Sequence, residues 1–373
     1  MILDLYELAW RPAAAMIRHT DPSLAHSRTV SLMRRADGVG ALATVARLAR
    51  RAVFPDRPTR VGGVDLPHPV ILAAGLVKGD GFADEEAALA AVREHRDIVP
   101  GWRSLPALVG PVEFGSFTRH PRLGNSGRVL WRDASTLSMQ NRVGLRNPGA
   151  RAAAAHLGSH AASLPPVWGI NLAVSPGLAD LKGSRTEITE AAEFFGAAFD
   201  GLQAGPSWLT LNLSCPNTED DPRGRQAAEL ARELAGALVE TVSVPVWVKI
   251  GPDLSDEQLE GLVVALLESA VQAVIATNTW AQPVLGGSET AGVSGARLRP
   301  LSLDTVTRLG AIVAATEGEL DIVAGGGILD GADWTAFEAA GARAAMVYSA
   351  LVFRGPLAAA LILREAEQGG GDA

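Results

Sequence analysis

The sequence predicts an α/β protein, a (β/α)8 TIM barrel with a small N-terminal helical extension. Three observations predict it. Eight short runs are predominantly apolar rather than alternating: Val70–Ala74, Val112–Phe117, Val167–Leu172, Trp208–Leu213, Val244–Ile250, Ala273–Ala276, Ile322–Ala324 and Ala345–Val347. Continuous apolar runs of this length fit parallel strands buried on both faces. Several are separated by Ala-, Leu- and Glu-rich stretches of helical periodicity, at 187–202, 226–241, 256–271, 302–315 and 331–340. Finally, nearly every run ends in a polar, reactive or glycine residue, as expected where a barrel carries its active site. A doubly wound open sheet fits the alternation less well, because no GxGxxG motif follows the first run.

Taken in order, residues 1–60 stand apart as an N-terminal arm, and 61–373 as the barrel. The arm holds ten Arg against five Asp or Glu, a net +5, whereas the whole chain carries −8. Ile2, Leu3, Leu5, Leu8 and Trp10 form an apolar stretch, Pro12 breaks it, and a second helical piece runs to about Arg18. Asp21-Pro22 reads as a helix start, Asp capping and Pro in the first turn, with Leu24, Ala25, Arg28, Leu32 and Met33 at helical spacing after it. A basic amphipathic arm suits docking on an anionic membrane surface; the same helices serve equally well as a cap on the barrel. Val61–Pro67 resembles a short hairpin strand leading into the first barrel strand.

The remaining composition narrows the class. With 47% hydrophobic and 20% charged residues in 373, the chain can bury one large core or two ordinary ones. Net acidity argues against a nucleic-acid partner. A single cysteine excludes an intrachain disulfide framework. No run of eighteen apolar residues is present, and Asp4 and Glu7 interrupt the N-terminal apolar stretch, which is wrong for a signal peptide. There are only three lysines, Lys78, Lys182 and Lys249, and two of them fall at strand ends.

The chemistry gathers at those ends. The segment Leu211-Asn212-Leu213-Ser214-Cys215-Pro216-Asn217-Thr218 packs two amides, two hydroxyls and the lone cysteine after a buried strand. So many hydrogen-bonding groups are expected to face a ligand, although Asn, Ser and Pro also suit a turn and Cys a small filler. Gly325-Gly326-Gly327 and Tyr348-Ser349 end the last two strands, where backbone N–H groups commonly hold a phosphate; Gly292-Val293-Ser294-Gly295 offers a third glycine loop. Together they point to a phosphorylated cofactor.

These segments resemble the dihydroorotate dehydrogenases, FMN-dependent barrels of pyrimidine synthesis. The likeness rests on Asn212–Thr218, Val248-Lys249-Ile250-Gly251-Pro252-Asp253-Leu254, Val274–Thr279, Gly115-Ser116-Phe117-Thr118, Pro121–Asn125, Asn141-Arg142-Val143-Gly144 and Tyr348-Ser349, in the family's order. The resemblance implies oxidation of dihydroorotate to orotate, with a base taking a proton from C5 while hydride passes from C6 to flavin N5. It implies Cys215 as that base, a thiol that needs stabilising neighbours at neutral pH. It implies substrate contacts from Lys78, Asn141, Asn212, Asn217, Asn278 and Thr279. It places Ala74, Gly75, Ser116, Asn171, Lys249, Thr277, Ser294, Gly295, Gly326, Gly327, Tyr348 and Ser349 around FMN, and assigns no metal.

The arm, notably Asp21-Pro22-Ser23-Leu24-Ala25-His26, resembles the membrane-associated class that passes electrons to a quinone. His26 and Arg132 match its quinone-site positions, and the implied location is peripheral, on the cytoplasmic side of the inner membrane. Several residues depart from that class. Cysteine stands at the base position where it has serine, as in the soluble class that reduces fumarate or NAD. Val77 replaces an acidic residue, Leu145 a phenylalanine and Ala173 a lysine. About fifteen extra residues, around Arg93–Pro111, precede the second strand. The alternative is a soluble-type flavin barrel that uses fumarate as acceptor or acts on another dihydropyrimidine.

Overall fold

The computed structural model describes residues 2–178, 180–202, 204–213, 228–284, 287 and 289–369. The arm folds as three helices, α1 (Ile2–His19), α2 (Pro22–Asp37) and α3 (Gly40–Val53). The carboxylate of Asp21 caps α2 by accepting from the N–H groups of Ser23 and Leu24, each at 3.0 Å. The expected break at Pro12 is absent, since α1 runs through it. Anchors upstream of the proline tie the helix to the barrel: Tyr6 Oη donates to the Arg354 carbonyl at 2.9 Å and Trp10 Nε1 to that of Phe353 at 3.2 Å. These offset the ladder bond that proline cannot make. The third helix was missed in the sequence.

A hairpin of β1 (Thr59–Val61) and β2 (Val64–Leu66) leads into the barrel and starts two residues earlier than expected. The barrel strands are β3 (Val70–Leu72), β4 (Val112–Phe117), β7 (Trp168–Leu172), β8 (Trp208–Asn212), β9 (Val246–Ile250), β10 (Ala273–Ala276), β13 (Asp321–Gly325) and β14 (Ala342–Val347). They close in chain order with parallel pairing throughout, so the predicted TIM barrel is the observed fold. Its lower lumen is filled by Trp208 and Trp247, stacked with ring centres 4.7 Å apart, above Val61 and Val64 of the hairpin. Gly169 makes this packing possible, because a Cβ there would lie 2.0 Å from the Trp208 ring.

Four further strands, β5 (Leu130–Asp133), β6 (Ser138–Asn141), β11 (Trp280–Pro283) and β12 (Thr290–Gly295), form an antiparallel sheet in the order β11-β12-β6-β5. The expectation of a glycine loop at Gly292–Gly295 is therefore corrected. These residues form the end of β12, paired with β6 from Ser138 to Asn141. The sheet carries Asn141 and Ser294 to the mouth of the barrel. The insertion before β4 contains a short helix, Ser104–Val109, that packs on α2 and α3. Buried Asp37 at the end of α2 accepts from the backbone N–H groups of Gly101 (2.5 Å), Arg103 (3.2 Å) and Ser104 (2.7 Å).

Candidate active site

One cavity of about 570 Å³ lies over the C-terminal ends of the strands and continues outward between the arm helices. Parallel strands place their last residues on this rim, so the barrel delivers Gly75, Ser116, Asn212, Lys249, Thr277 and Gly326 to one space. Of the predicted substrate residues, Lys78, Asn141, Asn212, Asn278 and Thr279 all line it. Thr279 Oγ1 is buried with no hydrogen-bond partner among the described residues, a group poised for a ligand. Asn212 Nδ2 donates to Ser116 Oγ at 3.2 Å, which joins the substrate-side and cofactor-side groups. Cys215 and Asn217 lie outside the described residues.

The predicted cofactor residues Ala74, Gly75, Ser116, Lys249, Thr277, Ser294, Gly295, Gly326, Gly327, Tyr348 and Ser349 line the same cavity. The backbone at Gly326 and Gly327 sits at φ +106° and +95°, which side-chain-bearing residues rarely adopt. A Cβ at Gly327 would lie 2.8 Å from the backbone of Arg299, and one at Gly326 2.7 Å from Ser302 Oγ. Glycine is needed at both positions because Arg299 and Ser302 fill the space a side chain would take. Thr277 Oγ1 donates to Ser302 Oγ at 3.2 Å, and that hydroxyl donates on to the Gly325 carbonyl, fixing the end of β13. Ser302 was missed because it sits on a helix whose spacing looks purely structural. Asn171 differs from its predicted neighbours: it is fully buried inside the barrel and does not form part of the cavity wall.

The outer half of the cavity is apolar, lined by Ile17, Ala25, Leu32 and Met33 of the arm, Leu105 and Leu108 of the insertion, and Leu351 and Val352. His26 and Arg132 also line it. Burial, and secondarily the charges of Lys78 and Arg146, push the His26 imidazole down to about 4, so it is neutral at pH 7. Burial also lowers the Arg132 guanidinium, which donates to the Ile17 carbonyl at the end of α1. Between the two halves, desolvation pushes the Tyr348 phenol up to about 12, keeping it a hydrogen-bond donor. Val77, the departure beside Lys78, is buried against Met33 and Gly101 of the insertion, a place where a carboxylate would be desolvated without a partner. Among the described residues, no cluster of three His, Cys, Asp or Glu side chains has metal-binding geometry.

A family model described as dihydroorotate dehydrogenase matches residues 58–368. The chain belongs to the dihydroorotate dehydrogenase family. Its relatives include a protein of Salinispora arenicola named dihydroorotate dehydrogenase (quinone), 34% identical over 94% of this chain and 96% of its own. One of the same name from Chromobacterium violaceum is 31% identical over 90% and 91%. Among solved structures, ligand-free DHODH of Eimeria tenella superposes with a TM-score of 0.72 at 25% identity, covering 94% of this chain and 96% of that one. The dihydroorotate dehydrogenase match spans all eight barrel strands, and the S. arenicola alignment is long enough to include much of the arm. The family's members are oxidoreductases, and the polar half of the cavity has the donors, acceptors and cations that a carboxylated cyclic amide calls for.

Proposed function

We propose that this chain oxidises dihydroorotate to orotate with FMN as cofactor and passes the electrons to a membrane quinone. The observation that carries this is the single cavity, polar at the barrel rim and apolar at the arm. Lys78 supplies a cation for the substrate carboxylate, and Asn141, Asn212, Asn278 and Thr279 supply donors and acceptors for the ring amides, a role the family resemblance extends to Asn217. Cys215 takes the C5 proton as thiolate, helped by the hydroxyls and amides of its own segment. FMN, when bound, supplies the two-electron acceptor for the hydride leaving C6. The Gly326-Gly327 backbone suits its phosphate, and Lys249 brings positive charge to the ring. Tyr348 excludes water between the two halves. The apolar outer half, with His26 neutral and Arg132 at its wall, suits a quinone head group arriving from lipid.

Lipid contact is supported by the outer face of the arm. Among the described residues, ten of the fourteen exposed large apolar side chains fall between Ile2 and Leu48. Arg28, Arg35, Arg47 and Arg51 are exposed beside them. No described helix is long and apolar enough to cross a bilayer. This supports peripheral association, at the cytoplasmic face of the inner membrane. The test is anaerobic mixing of the yellow enzyme with dihydroorotate, followed by a short-chain quinone or fumarate. Bleaching followed by recovery with quinone is expected. Recovery with fumarate alone would overturn the acceptor, and absence of bleaching in an FMN-loaded protein would overturn the substrate.

A further inference from the structure

Lys78, the cation assigned to the substrate carboxylate, sits in the loop that leaves β3. On the barrel side, Gly75 N–H donates to the Gly115 carbonyl at 2.7 Å and Gly115 N–H to that of Val77 at 2.8 Å. Past Lys78 the arm and the insertion take hold. Asp80 N–H donates to the Ile98 carbonyl at 2.9 Å. Gly79, at φ +88°, presses on the same place, since a Cβ there would lie 2.7 Å from that carbonyl oxygen. The Asp80 carboxylate accepts from Arg34 Nη2 of α2 at 2.7 Å, and Arg34 Nε donates to the Asp97 carbonyl of the insertion at 3.2 Å. Before Lys78, buried Val77 and Met33 of α2 flank Gly101 of the insertion; a Cβ at Gly101 would lie 3.3 Å from Val77 and 3.1 Å from Met33. Two adjacent residues of one arm helix, Met33 and Arg34, therefore brace the loop on both sides of Lys78.

We infer that Arg34 is a positioning residue for the substrate: by tying Asp80 to the insertion, it fixes the loop that presents Lys78 to dihydroorotate. This rests on the substrate reading above. Lys78 carries its charge on a flexible four-carbon stem, and a loose backbone beneath it would add to the freedom lost each time a carboxylate binds. Arginine suits the brace because its planar fork donates in fixed directions, here to a carboxylate and a carbonyl at once. The same helix lines the apolar half of the cavity through Ala25, His26, Leu32 and Met33. The arm thus serves the substrate as well as the acceptor.

The test is anaerobic stopped-flow bleaching of the FMN-loaded enzyme over a range of dihydroorotate concentrations, in Arg34→Ala, Arg34→Lys, Asp80→Ala and the double variant Arg34→Ala with Asp80→Ala. Arg34→Ala should raise the half-saturating concentration about three- to tenfold, the effect of a partly exposed ion pair and one further hydrogen bond. Asp80→Ala should raise it about two- to fivefold, the ion pair alone. The limiting bleaching rate should stay as in the wild type in both. Arg34→Lys keeps the charge without the fork and should fall between wild type and Arg34→Ala. The double variant should be no worse than Arg34→Ala, because both changes remove one bridge. Arg35→Ala, on the exposed side of α2, should match the wild type. Unchanged half-saturation in Arg34→Ala and Asp80→Ala, or losses that multiply in the double variant, overturns the inference. So does a lower limiting rate at unchanged half-saturation, which marks general loosening of the arm. The side chains of Arg34 and Asp80 are 40% and 26% exposed, so neither change empties the core. A wild-type holoenzyme that dihydroorotate fails to bleach would overturn the substrate reading instead, and so marks a different failure.

Discussion

Replacing Cys215 tests its proposed role in proton transfer. Cys215→Ala is expected to keep FMN and to lose about 10²–10⁴ in dihydroorotate oxidation at neutral pH, the usual contribution of a general base. Steady-state turnover beside the flavin spectrum checks this, and near-normal turnover would remove Cys215 from the mechanism. Cys215→Ser should retain substantial activity if the pocket is built as in the quinone class. Two buried histidines contribute to the acid limb of stability. Burial lowers His68, stacked on Phe54 at 4.8 Å, to about 3, and His26 to about 4. Both are neutral when folded, while the unfolded chain takes up their protons below about 6.5. Their contribution is therefore complete above about pH 6.5 and is lost as pH falls toward 4 and then 3. Urea midpoints measured from pH 8 to 4 should fall along this limb, and His68→Leu should flatten it.

At the scale of elements, the arm and the insertion act as a pair. Asp37→Ala leaves the N–H groups of Gly101, Arg103 and Ser104 without their acceptor, and should cost about 1–3 kcal/mol of docking. Amide hydrogen exchange should rise over α2 and Ser104–Val109 and stay unchanged in the barrel strands. Deleting residues 1–38 should impair quinone reduction more than bleaching of the flavin by dihydroorotate; equal loss of both would make the arm a structural cap. The barrel strands were legible because burial on both faces leaves unbroken apolar runs, and the rim residues because they follow those runs directly. The antiparallel sheet was not, since β12 pairs with β6 about 150 residues away and each strand is too short to show a period. The surroundings of buried Glu113 were hidden for a related reason: it accepts hydrogen bonds from Asn171, Trp208 and Thr210, which only barrel closure brings to it. The insertion showed its length in the sequence but not its partner, because the N–H groups that hold Asp37 belong to the backbone.

The whole molecule is electrically divided, with a basic arm on an acidic body. Exposed apolar side chains and exposed arginines share the outer surface of α1–α3, so binding to anionic vesicles should weaken as salt rises. Val45→Glu with Leu48→Glu, at 63% and 60% exposure, should lower vesicle binding at least about tenfold in a sedimentation assay. Flavin bleaching by dihydroorotate should be unaffected.

The anchoring of α1 has a consequence for how the chain is made. Its partners are the carbonyls of Phe353 and Arg354 and the guanidinium of Arg364, which pairs with Asp4 at 2.6 Å and Glu7 at 2.8 Å. α1 thus docks on helices about 350 residues further along the chain, roughly 20–70 s of synthesis at ordinary elongation rates. Through that interval Leu3, Tyr6 and Trp10 join Ile2, Leu5 and Leu8 on an amphipathic segment with nothing yet to cover it. On the lipid contact proposed above, the growing chain would be tethered before the barrel exists to be tethered.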